Sequence, residues 1–547
     1  MFRLRNLVAL STLFGLCVSQ KPVDVFLSAI RNGDDISLVP GKPPGALAWA
    51  SYQNSITKEG WSYLEIRTNP SYEDEVTAYA AGALEGTLSR DLIRNHSKNM
   101  FGDYCVNNAE YCVKLRTYFT RQLKFMNERS LEERYRSPFW NQVYLILKQM
   151  AGIRDGYSQA MLNASGGYED LDFLYFINNE GALFDLESVF GRVPDNNSIS
   201  LISPCSLLVK IAEKDVIIGH SAWTSYRTML RVQKKYMMPF EVYHGAGYRV
   251  PGHSISMSSY PGKLNSMDDF YVVSTGLAVS ETTNNVFNKA LFLDLGTETV
   301  PTGFRAMVAN RLAKDGRHWT RTFEKHSSGT YNNQWVVLDY NKVELTAAGV
   351  TLANEAFWIL EQLPTLIVAQ DMTEVLQSQG YWASYNVPYF PAIYNESGYE
   401  AKFREHGDFY GHDSCPRAKI FRRDEFRVSD AASMMSLLRY NDYKEDPLSR
   451  CNCTPPYSPS YAIASRYDLF EKDGHYDHEG MKLGAAGAID AKVADARSIR
   501  DFSFLAICGP TNDIQPTFSW SESVFSQRPL GHPDVFDFKP VRHKWTL

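Results

Sequence analysis

Cys205-Ser206-Leu207-Leu208-Val209-Lys210-Ile211 is followed by the short turn Ala212-Glu213-Lys214-Asp215 and then by Val216-Ile217-Ile218-Gly219-His220-Ser221. Both apolar runs have the length and β-branched content of strands, and the turn between them is polar. The stretch reads as a β-hairpin whose first residue is a cysteine. That position has chemical consequences. A thiolate is a strong nucleophile, and an ordinary cysteine titrates near ~8.5. If the chain is cut before Cys205, the same residue gains an α-amino group titrating near ~7.7–8.0. Attacking atom and base then sit on one residue. Beyond the hairpin, Trp223 to Tyr236 is predicted to be a helix.

Eight cysteines are present. Cys17 falls in a leader-like segment, so an odd number remains: Cys105, Cys112, Cys205, Cys415, Cys451, Cys453 and Cys508. In an oxidising compartment at least one of these stays unpaired or pairs between chains. Cys105 and Cys112 frame a short loop and are expected to bridge. Cys451 and Cys453 also count as bridge candidates, although one intervening residue makes a tight ring. Cys415 and Cys508 are candidates to pair with each other or with that couple. Parity does not choose the free thiol; it makes a free Cys205 unsurprising.

The first residues carry Arg3 and Arg5, then an apolar run from Leu7 to Val18, with small residues before Gln20. This is the three-part form of a secretory signal, residues 1–19. No later stretch has about 20 consecutive apolar residues, so no transmembrane segment is expected. Asn95, Asn163, Asn196, Asn395 and Asn452 each open an Asn-x-Ser/Thr sequon, in keeping with a lysosomal or secreted glycoprotein. Net charge is −6 with 22% charged residues, which gives no basic footprint for nucleic acid. Hydrophobic residues make up 44% of the 547 positions and can build a large core. No linker, internal repeat or low-complexity segment divides the chain.

Ahead of Cys205, helical spacing covers Asp74 to Arg94, Tyr118 to Ala151 with a break at Pro138, and Gly156 to Phe190 around Gly166-Gly167. Glu59 to Thr68 reads as extended, and Lys21 to Ala50 as short apolar pieces around a turn cluster. Val193 to Ser203 is polar and loop-like. After Tyr236 the texture changes. Glu241 to Tyr243, Ser254 to Ser258, Phe270 to Ser274, Leu277 to Ser280, Val336 to Asp339 and Leu345 to Thr351 read as strands. Ala356 to Leu363 and Met372 to Gly380 read as helices. The sum is an α+β or layered arrangement: a helix-rich part, residues 20–204, then a strand-rich part, residues 205–547.

Several motifs together resemble the phospholipase B-like proteins. They are Cys205-Ser206 with Gly219-His220-Ser221-Ala222-Trp223-Thr224-Ser225-Tyr226, then Ser259-Tyr260-Pro261-Gly262 and Asp268-Asp269-Phe270-Tyr271. Glu281-Thr282-Thr283-Asn284, Gly329 to Trp335, Pro416 to Asp424, Gly487 to Lys492 and Cys508-Gly509-Pro510-Thr511 follow in order. Tyr79-Ala80-Ala81-Gly82 with Glu85-Gly86 extends the resemblance to nearly the whole chain after the leader. That family is similar to the cysteine N-terminal-nucleophile hydrolases, which implies a four-layer αββα sandwich. It further implies self-cleavage between Pro204 and Cys205, with two fragments that remain associated. The implied activity is removal of acyl chains from glycerophospholipids. The same chemistry on N-acyl amides is an alternative, and a binding glycoprotein without catalysis is another. Pro204 fits the cut chemically but restricts the backbone of Ser203 before it.

Attack on an acyl carbonyl creates an oxyanion that needs fixed donors. Asn284 and Thr283 end one strand motif; Asn332 and Asn333 sit in another. Asn333 and Asn284 are the first candidates, with Asn332 and Thr283 supporting. In the enzymes this family resembles, the end of the second hairpin strand carries a polar residue beside the nucleophile's amino group; the resemblance thus implies that His220 tunes or orients Cys205 and that Trp223 packs. A turn-capping role competes at each asparagine, and a satisfied core histidine competes at His220. His475-Tyr476-Asp477-His478 has metal-like content, but nothing completes a ligand set and a solvated loop is the better reading. His244 and His253 flank a glycine-rich turn. Arg417, Lys419, Arg422 and Arg423 form a basic run that is more often a solvated face or ion pairs than a phosphate site. No phosphate loop, dinucleotide fingerprint or Gly-x-Ser-x-Gly elbow is present. The expected chemistry calls for no metal or cofactor, only a lipid or N-acyl substrate.

Overall fold

A computed structural model of the chain describes residues 3–4, 24–33, 35–163, 173–194, 204–347, 349–476, 478, 480–525 and 527–547. Most of the expected leader, Asn196 and the loop 195–203 ahead of Cys205 lie outside these residues, as does the side chain of Asn163.

A large mixed sheet and a smaller, wholly antiparallel sheet stack face to face. Among the described residues the larger has twelve strands. From one edge they run Arg3–Leu4, Asp35–Pro40, Val25–Asn32, Ala48–Ser55, Trp61–Thr68, Arg231–Met237, Ser254–Ser259, Phe270–Val273, Leu277–Thr283, Asn333–Asp339, Phe357–Gln362 and Ile367–Asp371. The smaller runs Tyr381–Ser384, Cys205–Ile211, Val216–Ser225, Asp490–Ala494, Leu505–Cys508 and Val541–Arg542, with Ala486–Ala488 paired to the third. Period-two alternation sorts side chains between layers. Trp335 and Val337 face the helix layer, where Trp335 packs on Trp319 and Phe323 of the helix Gly316–Phe323, while Val336 and Leu338 meet Leu207, Val209 and Ile218 of the smaller sheet. The outer face of that sheet is covered by the helix Ala431–Leu438, which packs against Gly219, where a Cβ would sit 2.6 Å from Leu438. The order helix, sheet, sheet, helix is the layered α+β arrangement expected.

The two long helices on the large sheet, Asp74–Leu88 and Pro138–Asn163, cross without side chains between them. A Cβ on Gly82 would lie 1.9 Å from the Gln149 carbonyl oxygen, and one on Gly156 would lie 2.2 Å from that of Ala83. Residues before Cys205 also supply the five strands at one end of the large sheet. Trp61–Thr68 pairs in parallel with Arg231–Met237 over Trp61 to Arg67, so one hydrogen-bonded ladder joins the two halves of the chain.

Two helix expectations fail. Trp223 to Tyr236 is the end of the strand Val216–Ser225, a single 3-10 turn Tyr226–Thr228, and the strand Arg231–Met237. Its cations misled the pattern because they are buried in ion pairs rather than solvated: Arg231 with Asp268, Lys234 with Glu85, Lys235 with Glu65. Ala356 to Leu363 contains the strand Phe357–Gln362, buried on both faces, where alternation disappears and a short apolar run no longer separates helix from strand. Glu241 to Tyr243 forms only a single bridge, Glu241 to Arg249. The helices around Asp74, Tyr118, Gly156 and Met372, and the strands at Ser254, Phe270, Leu277 and Val336, are present within a few residues.

Candidate active site

Cys205 begins its strand between Tyr381–Ser384 and Val216–Ser225. The hairpin register pairs Cys205 with Ala222 and Leu207 with His220, so Cys205 and His220 share the face turned toward the large sheet. Glu281 reaches across from the facing strand Leu277–Thr283. Cys205 Sγ, a ring nitrogen of His220 and a carboxylate oxygen of Glu281 lie within 4.8 Å of one another, all buried. Thiol, imidazole and carboxylate are also donor types that a thiophilic divalent cation takes.

The backbone around Cys205 is held at three points. Its N–H donates to Asn386 Oδ1 at 2.8 Å. Its carbonyl accepts from Arg417 Nη1 at 2.5 Å, and Arg417 Nη2 donates to the Tyr385 carbonyl at 2.6 Å. The carbonyl of Pro204 accepts from the Trp223 N–H at 3.1 Å. The Arg417 guanidinium lies over the Trp223 ring, 4.6 Å from its centroid. Asn386 is itself fixed: its Nδ2 donates to the Thr283 carbonyl at 2.7 Å, and the Tyr399 hydroxyl donates to the Asn386 carbonyl. It adopts φ 67°, a left-handed conformation that asparagine tolerates better than most residues. A cleft of about 180 Å³ borders this point, lined by Pro204, Tyr385, Asn386, Tyr399, Cys415 and Arg417 among others.

Burial, and then the nearby Glu281, pushes the Cys205 thiol well above its ordinary value. Burial and the Lys492 cation hold His220 well below the usual histidine range, so its ring is neutral. Burial and the neighbouring Asp269 push Glu281 well above the carboxylate range, while burial lifts Asp269 to about 7. Asp268 is buried too, yet Arg231 and Lys492 hold it low. Its carboxylate sits 2.7 Å from Arg231 and 2.5 Å from Lys492, which also contacts Asp490 at 2.8 Å. This compact set of two cations and two anions lies beside the thiol cluster.

The other expected site residues divide. Asn333, paired with Thr283 across the strands, points its amide nitrogen at the Asn332 carbonyl, 2.9 Å, and at Glu281 Oε2, 3.2 Å. Thr283 joins through its carbonyl, by way of Asn386. Asn284 is buried beside Glu361, and its N–H donates to the Asn332 carbonyl at 2.7 Å. Asn332 turns its amide to Asp185 at 3.3 Å and the Gly329 carbonyl at 3.1 Å, tying the strand to the helix Glu180–Phe190. Trp223 contributes its backbone N–H as well as its ring. Sequence reasoning missed Asn386 and Glu281 and misjudged Arg417. The partners of Cys205 lie 181 and 212 residues away, where no local spacing points to them. The rest of the basic run forms ion pairs, Lys419 with Asp408 and Arg423 with Asp424 and Asp446. His478 stacks on Phe409 at the cleft wall.

Cys105 bridges Cys112, with Cα atoms 5.9 Å apart, and Cys451 bridges Cys453. Cys205, Cys415 and Cys508 are free and buried, so neither pairing considered for Cys415 and Cys508 occurs. Asn395 and Asn452 are exposed, and Asn95 is half-buried in the helix Arg90–Phe101.

The sequence model of the phospholipase B family matches residues 48–543. The chain belongs to the phospholipase B family. It is 38% identical to human phospholipase B-like 2 over 525 residues, which covers 94% of this chain and 88% of that protein. Caenorhabditis elegans phospholipase B-like 2 is 37% identical over 504 residues, 91% of this chain and 85% of the relative. Dictyostelium discoideum phospholipase B-like protein C is 34% identical over 535 residues, 94% and 90%. Family membership supports a hydrolase of lipid-related substrates. Among the described residues no helix is long and apolar enough to cross a membrane, and the two disulfides fit a secreted or lumenal protein.

Proposed function

We propose that the chain is a self-processing acyl hydrolase that uses Cys205, freed by a cut after Pro204, to remove acyl chains from glycerophospholipids. One observation carries this reading. The Pro204 carbonyl is polarised by the Trp223 N–H, and the nitrogen on the other side of that peptide bond is held by Asn386. The cysteine whose backbone is gripped in this way is also the one facing His220 and Glu281.

In maturation, the Cys205 thiol gives up its proton and sulfur adds to the Pro204 carbonyl carbon. The oxyanion meets the Trp223 N–H, and a fixed donor of this kind is worth roughly 2.7–4 kcal/mol. The carbon–nitrogen bond breaks as the nitrogen takes a proton, leaving a thioester. Water then cleaves the carbon–sulfur bond, giving a Pro204 carboxylate and a free Cys205 amine and thiol. In turnover the amine takes the thiol proton, and the same donor serves the substrate's carbonyl oxygen. The alcohol leaves, and water hydrolyses the thioester. His220 orients and tunes the thiol; Asn333, with Asn284 behind it, keeps the polar wall of the site in place. The two fragments stay joined by the Trp61–Arg231 ladder. A lysosomal or extracellular setting follows from the leader-like segment, the sequons and the disulfides.

The test gives processed protein a diacyl phospholipid and an N-acyl amide with the same chain at acidic pH. The expected result is phospholipid turnover that thiol alkylation abolishes. Turnover of the amide alone would replace the ester reading with an amidase. No turnover of either, with Cys205 free, would leave a binding role.

A further inference from the structure

We infer that Glu281 is the proton donor to the departing Cys205 nitrogen during self-cleavage, working as a pair with His220. This deepens the self-processing reading and rests on it. Before the cut, Cys205 has no amine, so the base used in turnover does not yet exist. Some other group must take the thiol proton, and another must protonate the leaving nitrogen. Among the described residues, His220 and Glu281 are the titratable groups clustered at Sγ, one from each sheet.

Their environments assign the roles. The His220 ring is fully buried, and Lys492 nearby disfavours its charged form, so it stands ready as a neutral base. Glu281 faces Asp269 and Asp268 from the loop that leads into the strand Phe270–Val273, and Cys205, His220 and Lys492 from the smaller sheet. Two buried carboxyl groups this close do not both ionise, and Asp268 is already committed as the anion between Arg231 and Lys492. The pair Glu281 and Asp269 therefore retains a proton. The Tyr331 hydroxyl, which bonds the Met267 carbonyl, also reaches Glu281 Oε1 at 3.1 Å, while Tyr271 donates to Asp269 at 2.7 Å. Asn333 steadies the other oxygen of Glu281. A neutral base and a neutral acid side by side is the arrangement in which opposite shifts set acid and base roles.

The proton count closes. His220 takes the thiol proton, sulfur bonds to the Pro204 carbon, and the carbon–nitrogen bond breaks as Glu281 protonates the nitrogen. The imidazolium then returns its proton to the Glu281 carboxylate beside it, so the cluster ends as it began. Water alone is consumed in the later thioester hydrolysis. The cutting rate should fall as pH rises through the titration of Glu281, where the donor is lost.

The experiment follows the first-order cut of purified full-length chain by intact mass from pH 4 to 8, with a melting curve for each variant. Glu281→Gln keeps size and neutrality but has no acidic proton to give, and it retains one of the two acceptor oxygens. It should fold and cut at least 100-fold more slowly, while Glu281→Asp recovers part of the rate. Cutting within threefold of the unaltered chain, with the same fall at high pH, would overturn the inference. If the glutamine variant does not fold, Tyr331→Phe decides. Removing the hydroxyl beside the carboxylate should move the fall to higher pH, and an unmoved profile overturns the assignment. Absence of any cut between Pro204 and Cys205 in the unaltered chain removes instead the self-processing reading beneath it.

Discussion

Asn386→Ala is the perturbation that most sharply tests how Cys205 is held. Asn386 is 6% exposed and makes two side-chain bonds, accepting from the Cys205 N–H at 2.8 Å and donating to the Thr283 carbonyl at 2.7 Å. Alanine orphans both partners, at roughly 1–3 kcal/mol each. It also places a β-carbon without a compensating polar group at φ 67°, which costs about 1 kcal/mol more. Because Asn386 lines the cleft, water can reach the orphaned groups, so the lower end applies and the total is about 3 kcal/mol. Asn386→Gly loses the same bonds without the left-handed penalty and should be milder by about 1 kcal/mol. Denaturant unfolding in a Cys205→Ala background measures both without interference from the cut. In the Cys205 background, both variants should also process at least tenfold more slowly. An alanine variant within 0.5 kcal/mol of its parent (about a twofold change in the folding constant), or a glycine variant less stable than the alanine one, would refute this account.

Arg417→Lys should slow processing at least tenfold, because an ammonium cannot hold the Cys205 and Tyr385 carbonyls as a fork while covering the Trp223 ring; rates equal to the unaltered chain would deny Arg417 that role. Asp185, raised to about 6 by burial, holds its proton in the folded chain after the unfolded chain has lost it, so stability falls as pH rises from about 4 to 6. Asp185→Asn should remove up to about 3 kcal/mol of that slope, and an unchanged slope would show the group is not shifted. Gly156→Ala should destabilise by about 1–3 kcal/mol by forcing the two long helices apart, read as a lower melting temperature. Iodoacetamide should label Cys205 slowly in uncut protein, where the thiol is buried and neutral, and at least tenfold faster after the cut; equal rates would mean the cut does not expose it.

The hairpin at Cys205 was legible because its two strands, their turn and the cysteine all lie within a score of residues. So were the Cys105–Cys112 bridge and the helices whose apolar stripes face a sheet. The strand Arg231–Met237 was not, because charged residues buried in ion pairs imitate the polar face of a helix. Phe357–Gln362 was not, because a strand covered on both sides loses its alternation. At the site, His220 was singled out through the family resemblance, and the hairpin register sets it two residues out of step with Cys205. Asn333 was legible as an amide at a strand end, though its role as a neighbour of Glu281 was not. Asn386 and Arg417 come from the loop and helix after Tyr381–Ser384, which the fold carries to Cys205 by pairing that strand with Cys205–Ile211. That pairing depends on tertiary layering rather than on any local pattern, so no spacing rule exposes it.

The central claim is that Cys205 cuts the chain before itself. N-terminal sequencing of the purified protein, resolved on a denaturing gel, tests it most directly. The account predicts two fragments, the C-terminal one beginning Cys-Ser-Leu-Leu, and a single uncut chain for Cys205→Ala under the same conditions. A Cys205→Ala protein cut at the same bond, or an unaltered protein that stays whole after prolonged incubation across pH 4 to 8, would contradict it.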